Sequence, residues 1–270
     1  MTDTLAAALD APVVLPAPRP ELVERPAWLG SDATVPTPDL GGWRAGEEER
    51  AAFADDGAGV CASLAGEGPV LLAFGGMFGT AGAPPFEFGR VGGELGCRTL
   101  AVRDHARFWY HAGARGAGST LPALVEHLRG LLASAAPGRL VVVGNSAGAY
   151  AALVAGALLG ADAVHAFAPR TTLLEGGSDP SVWEERRALL AATTPTPELL
   201  DAREVLAAHP ADGVHVHYCR THGRDSEHAL RLADLPTVAL HGWPVGGHEL
   251  VGSLRRSGEL VPLLRAALRS

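Results

Sequence analysis

Residues 139–160 read RLVVVGNSAGAYAALVAGALLG: an apolar run, a serine flanked by glycines and an alanine-rich segment in direct succession. Arg139–Val143 has the continuous apolar character of a strand buried on both faces of a parallel sheet. The stretch after Gly148 is long enough and rich enough in alanine and leucine for a helix. Between them, Gly144-Asn145-Ser146-Ala147-Gly148 matches G-x-S-x-G, and the strand-to-helix setting gives the motif its weight. A serine forced into so sharp a turn needs neighbours without bulky side chains two residues before and two after it. Gly144 and Gly148 meet that need. The turn lifts the Ser146 hydroxyl above the sheet, and the helix start beneath it favours developing negative charge, with the Ala147 amide as donor. The bland alternative is a glycine-rich connection with no chemistry. A dinucleotide-binding loop fits poorly, because the third glycine of its pattern is missing and the next strand ends in Ala168-Pro169-Arg170, with no acid to hold a ribose.

Working outward, further short apolar runs read as strands: Pro69–Phe74, Arg98–Arg103, Ala163–Phe167, Gly213–Tyr218 and Thr237–Leu240. Thr120 and Pro122 open a helix with Leu121, Leu124, Leu128, Leu131 and Leu132 at helical spacing. Strands alternating with helices predict an α/β fold, a mostly parallel central sheet with helices on both faces. The segment from Ala168 to Asp212 carries two expected helices, Pro180–Ala192 and Pro197–Ala208. It reads as a small helical lid over the carboxyl ends of the strands. Residues 46–63 are expected to form a helix and a turn, and residues 1–40 an extended, Pro- and Ala-rich arm. The division expected is therefore an arm and helix over 1–66 and one domain over 67–270, with the insertion at about 168–212.

With 270 residues, 47% apolar and 19% charged, the chain can bury one substantial core, which excludes a disordered or fibrous class. The net charge of −8 comes without any Arg-rich run, so a nucleic-acid partner is not expected. Cys61, Cys97 and Cys219 are odd in number and widely spaced, as suits free thiols rather than a disulfide framework or a zinc knuckle. The first 20 residues lack the basic start of a secretory signal, and no stretch approaches the roughly 20 apolar residues of a membrane span. A cytoplasmic protein is the expectation.

A hydroxyl nucleophile needs a base, and the base needs an orienting acid. His248, in Gly246-Gly247-His248 after the last strand, is the expected base, with His241 as the alternative. Asp225, after the fifth of these strands, is the expected acid, placed to cap a helix beginning at Ser226; Glu227 is its rival. His215 and His217 alternate along one strand face, but no matching cluster of ligands follows, so no metal site is expected. The second oxyanion donor should come from Phe74-Gly75-Gly76-Met77-Phe78-Gly79, with the Met77 amide first and Gly76 next. Arg103–His111 (RDHARFWYH) lies on the same sheet edge. Asp104 and Tyr110, together with Gly76, are its candidate substrate-binding residues; a surface loop around a buried Trp109 is the alternative.

Taken together, the GG loop, the GNSAG elbow, the acid after a later strand and the GH near the end resemble the α/β-hydrolase superfamily over about residues 69–268. More loosely, RDHARFWYHAG and GNSAGAYAALVAGALLGADAVHAFAP resemble small bacterial hydrolases linked to polysaccharide or secondary-metabolite pathways. The sequence departs from the superfamily where Gly75 replaces the usual His before the oxyanion glycine. The resemblance implies a serine esterase or thioesterase working through an acyl-enzyme on a small-molecule or carrier-bound acyl substrate, with no cofactor. Acyl transfer or cyclisation through the same intermediate, and a non-hydrolytic accessory role on the same fold, are the other readings.

Overall fold

Runs such as VLLAF, LVVVGN and AVHAF contain no residue that must reach water, so they form strands covered on both sides. The computed structural model of the protein describes residues 59–76, 86–174, 187–192, 194 and 196–270. The expected arm, the part of the expected helix and turn over 46–63 that precedes residue 59, Met77 and the start of the first lid helix lie outside the described residues.

In chain order the strands are β1 (Val60–Ser63), β2 (Val70–Phe74), β3 (Arg98–Val102), β4 (Leu140–Asn145), β5 (Ala163–Phe167), β6 (Val214–Cys219) and β7 (Val238–Trp243). They form one sheet in the order β1-β3-β2-β4-β5-β6-β7. Among the described strands only β1 runs antiparallel, against β3; the remaining neighbours are parallel. The helices are α1 (Gly89–Leu95), α2 (Leu121–Ala135), α3 (Ala147–Leu159), α4 (Ala202–Ala208), α5 (Gly223–Leu230), α6 (Leu250–Arg256) and α7 (Leu260–Ala267). No helix among the described residues is long and apolar enough to cross a membrane.

Alternate strand residues face opposite layers. Leu72, Phe74, Val142, Val164 and Val216 pack with α2, α3 and α4 on one side. Leu71, Ala73, Val141, Val143 and Phe167 pack with α1, α6 and α7 on the other. Each such side chain removed from water contributes roughly 1.5–3 kcal/mol, so the two-sided burial holds the sheet rigid beneath whatever its edge carries. The expected start of α2 is found where the sequence placed it: the Thr120 side chain accepts a 3.2 Å hydrogen bond from the Ala123 amide, and Pro122 occupies the first turn.

Two expectations need correction. The stretch ending at Ser63 is not a turn after a helix, because residues 60–63 add a strand to the edge of the sheet. The expected helix Pro197–Ala208 is also broken. Pro197–Leu200 forms a 3-10 turn and α4 starts afresh at Ala202, with Asp201 as its cap. Asp201 accepts from the Arg203 amide at 2.9 Å and pairs with Arg231 at 2.7 Å. Val205 and Leu206 of α4 are buried in the core beside α3, so this half of the insertion packs on the domain rather than roofing it. All three cysteines are free, Cys61 and Cys219 buried and Cys97 half-buried.

Candidate active site

The carboxyl ends of β2, β3, β4, β6 and β7 share one edge of the parallel sheet, the edge where α/β proteins assemble their sites. Ser146 stands there between β4 and α3, with φ 54° and ψ −113°. A non-glycine residue in that region costs of order 1–3 kcal/mol and persists only where its surroundings dictate it. Here the Ser146 amide donates to Phe167 O at 2.9 Å, and the Tyr150 amide donates to Ser146 O at 3.2 Å. Both flanking glycines are required sterically. A Cβ on Gly144 would overlap the Gly148 carbonyl, and one on Gly148 would come within 2.5 Å of Gly75 O and closer still to Phe74 O.

His248 follows β7 on a loop whose Gly246 and Gly247 take φ values of 110° and 54°, conformations that glycine adopts without strain. That loop brings the ring back over the elbow. Ser146 Oγ lies 2.9 Å from His248 Nε2. On the other side of the ring, Nδ1 lies 3.0 Å from both carboxylate oxygens of Asp225. The structure therefore brings Ser146, His248 and Asp225 into one hydrogen-bonded line. The rivals are elsewhere. Glu227 points to an exposed position, and His241 Nε2 is occupied by His215 Nδ1 at 3.0 Å.

Asp225 is buried to 1% exposure, but it is not the helix cap that the sequence suggested. α5 begins at Gly223, so Asp225 belongs to its first turn, and the cap is His222, whose Nδ1 accepts from the Asp225 amide at 3.4 Å. The same Nδ1 lies 3.1 Å from Asp225 Oδ2. One carboxylate thus faces two imidazoles. The amide dipoles of the first helical turn favour the negative charge held there.

Of the oxyanion candidates, Ala147 is the first residue of α3, so its amide has no carbonyl one turn earlier to bond. Met77 lies outside the described residues. The Gly76 amide is committed to another partner: it donates to Glu87 Oε2, which removes it as a direct donor to an oxyanion or a substrate. Glu87, 2% exposed, also accepts a 2.7 Å hydrogen bond from Asn145 Nδ2 through its other oxygen. Nothing in the sequence pattern marked Glu87, Asn145 or His222 for a role. The only signal was position, since Asn145 adjoins the serine and His222 precedes Asp225 by three residues.

Asp104 and Tyr110 also stand differently from the expectation that they bind substrate. Tyr110 is fully buried, and its hydroxyl donates to Gly75 O at 2.7 Å and approaches Val102 O at 3.1 Å. Burial, then the charges of Asp104 and Glu87, push its phenol well above the usual value, so it stays a donor. Asp104 Oδ2 accepts from the Tyr110 amide at 3.0 Å, in a stretch where Arg107, Trp109 and Tyr110 all have positive φ. The pair clamps the backbone that carries Gly75 instead of lining a pocket.

No protein-family model matches the chain, and no curated protein matches it in sequence. Solved structures do match its three-dimensional form. An S-formylglutathione hydrolase from Agrobacterium tumefaciens superposes with a TM-score of 0.51 at 13% identity, over 77% of this chain and 88% of that one. A hormone-sensitive lipase from a metagenome library gives 0.55 at 14%, over 85% and 87%. The capsule O-acetyltransferase of Neisseria meningitidis serogroup A gives 0.55 at 12%, over 80% and 92%. At such identities the likeness concerns the fold, and with the sheet order and the strand–serine–helix turn already described, the chain has the α/β-hydrolase fold.

Proposed function

We propose that the protein is a serine hydrolase that cleaves an ester, thioester or amide through an acyl-enzyme on Ser146. The observation that carries this reading is the continuous line from Ser146 Oγ to His248 Nε2 at 2.9 Å and from His248 Nδ1 to the buried Asp225 carboxylate at 3.0 Å. His248 in the Nδ1–H tautomer leaves the Nε2 lone pair facing the hydroxyl. As Oγ attacks the substrate carbonyl carbon, its proton passes to Nε2, and Asp225 stabilises the imidazolium. The carbonyl oxygen becomes an oxyanion, received by the Ala147 amide at the start of α3, with Met77 as the second donor expected from the sequence alone. Nε2 then protonates the leaving oxygen, sulfur or nitrogen, and the acyl group remains on Oγ. Water, deprotonated by the same imidazole, releases the acid and restores the serine. Each oxyanion donor supplies about 3 kcal/mol of transition-state stabilisation in enzymes of this logic.

A fluorophosphonate probe tests the reading directly. The wild type should label at neutral pH and the Ser146→Ala variant should not, with parallel loss of aryl-ester and acyl-thioester hydrolysis. Wild-type protein that neither labels nor turns over these substrates would favour the accessory reading. Acyl transfer shares every step up to the acyl-enzyme, so product analysis with and without an added amine or alcohol separates it; dominant transfer at dilute nucleophile would replace hydrolysis as the activity.

A further inference from the structure

A serine, an imidazole and a carboxylate suffice for the proposed chemistry, yet this site holds a second imidazole. His222 Nδ1 lies 3.1 Å from Asp225 Oδ2, and His248 Nδ1 lies 3.0 Å from the same oxygen. One donor atom from each of the three residues falls within 4.8 Å of the other two. The His222 and His248 rings are 5.7 Å apart and inclined at 34°, so both can turn a nitrogen toward a common point beside the carboxylate. The side chains of His222 and His248 are 33% and 35% exposed, whereas that of Asp225 is 2% exposed. The trio is open to solvent on its histidine side and closed behind the acid.

We infer that His222, Asp225 and His248 form a binding site for a zinc ion whose occupancy silences Ser146. Two imidazoles and one carboxylate are a donor set that suits zinc and disfavours magnesium or calcium, which seek all-oxygen ligands. Zinc bonds of about 2.0–2.2 Å in a tetrahedron set neighbouring ligand atoms about 3.3–3.5 Å apart. The observed separations of 3.0 and 3.1 Å from the carboxylate need a few tenths of an ångström of adjustment, and the gap between the two imidazole nitrogens, within 4.8 Å, closes by up to about 1.4 Å as the half-exposed rings turn. The exposed side leaves the fourth position to water.

The effect on catalysis follows from proton placement. The Nδ1 that now faces Asp225 must give up its proton to coordinate the ion. In the neutral ring that proton moves to Nε2, and Nε2–H then points at Ser146 Oγ as a donor. No lone pair is left there to accept the hydroxyl proton. Zinc thus fixes the wrong tautomer of the base and takes the charge of its orienting acid. This consequence rests on the acyl-enzyme reading, while binding of the ion does not.

Calorimetry with zinc chloride on the full chain separates the two. The Ser146→Ala protein, which lacks the nucleophile, should still bind one zinc ion with a micromolar dissociation constant. His222→Asn keeps a side chain suited to capping α5 but removes a ligand. Since loss of even an outer partner weakens metal sites about 10–100-fold, its affinity should fall by more than a hundredfold. In the wild type, saturating zinc should block fluorophosphonate labelling, and EDTA should restore it. Magnesium should neither bind nor block. Equal zinc affinity in wild type and His222→Asn, or no binding at micromolar zinc, would overturn the site. So would loss of binding in His215→Asn/His241→Asn with retention in His222→Asn. Zinc binding that requires His222 but leaves labelling intact would overturn the silencing.

Discussion

Glu87 accepts a 2.7 Å hydrogen bond from the side-chain amide of Asn145, the residue immediately before the proposed nucleophile. Its other carboxylate oxygen accepts the Gly76 amide from the loop after β2. A single buried acid therefore ties the elbow to the loop expected to carry the second oxyanion donor. Glu87→Ala would leave both donors without that acceptor, at about 1–3 kcal/mol each. The expected outcome is a loss of several kcal/mol in urea-unfolding free energy and a kcat lowered at least tenfold, with KM less affected. Glu87→Gln turns its NH2 toward one of two donors and should recover part of the stability only. Unchanged kcat in a folded Glu87→Ala protein would remove the loop from the oxyanion site.

Gly148 and Gly130 make a controlled pair. Alanine at 148 would drive its Cβ into the Phe74 and Gly75 carbonyls, and the elbow can relieve that overlap only by moving α3 off the sheet. Alanine at 130, inside α2, meets nothing within 4 Å. Gly148→Ala should lower stability by more than about 3 kcal/mol, among the largest single-residue effects, and abolish fluorophosphonate labelling. Gly130→Ala should raise stability by about 0.5–1 kcal/mol through helix propensity alone. Thermal melts of the two variants beside the wild type decide both.

The parts of the fold that were legible in the sequence are those whose burial is uniform. β2, β4 and β5 are buried at every residue, so their apolar runs announced them. β1 did not announce itself, because VCAS is half-buried and, among the described strands, pairs with β3 alone, which asks little of its side chains. Ser146 and His248, the expected nucleophile and base, stand 2.9 Å apart, and they were legible as candidates because backbone geometry restricts which residue types can flank them. Asp225 was expected to cap a helix from Ser226, but an imidazole cap is outside the usual Ser, Thr, Asp and Asn set, and His222 starts α5 three residues earlier than the sequence suggested. Glu87 was illegible because its charge is stabilised by Gly76 and Asn145, which meet only in the folded chain. Tyr110 misled for a related reason. Its position on the active edge was right, but burial turned its hydroxyl inward to Gly75 O.

Acid sensitivity should come from histidines buried in their neutral form. His111 is lowered to about 3 by burial, and His165 to about 3 by burial and then by the neighbouring histidines His215 and His241 and by Arg139. His228 is lowered to about 4, first by burial and then by Arg170, Arg231 and Arg224. His165 belongs to a stack with His215, His217 and His241 across β5, β6 and β7. Each of these groups binds a proton near pH 6.5 when unfolded but resists it when folded. The unfolded state therefore holds more protons below that pH, and stability falls as pH drops from 6.5 toward 3. At pH 5, His111 alone accounts for about 2 kcal/mol. Urea unfolding at pH 7.5 and pH 5 should show a steep loss in the wild type and a loss smaller by about that amount in His111→Asn, whose side-chain amide can still donate to Tyr150. Parallel profiles for the two proteins would assign the acid sensitivity elsewhere.

Asp225→Asn tests the line of hydrogen bonds without removing bulk. The carboxylate accepts from His248 Nδ1–H; an amide there can present its NH2 instead, and Nδ1 must then accept. The imidazole proton moves to Nε2, where it faces Ser146 Oγ and cannot take the hydroxyl proton. The geometry survives but the base is lost, and kcat should fall about 10⁴-fold with KM nearly unchanged. Because Asp225 lies in the first turn of α5, where the amide dipoles favour negative charge, replacing that charge should also cost stability, by about 0.3–1 kcal/mol in unfolding free energy. A drop in kcat of less than tenfold, in a protein that unfolds cooperatively, would mean that His248 does not depend on Asp225 for its orientation, and the acid would have to be sought on another strand.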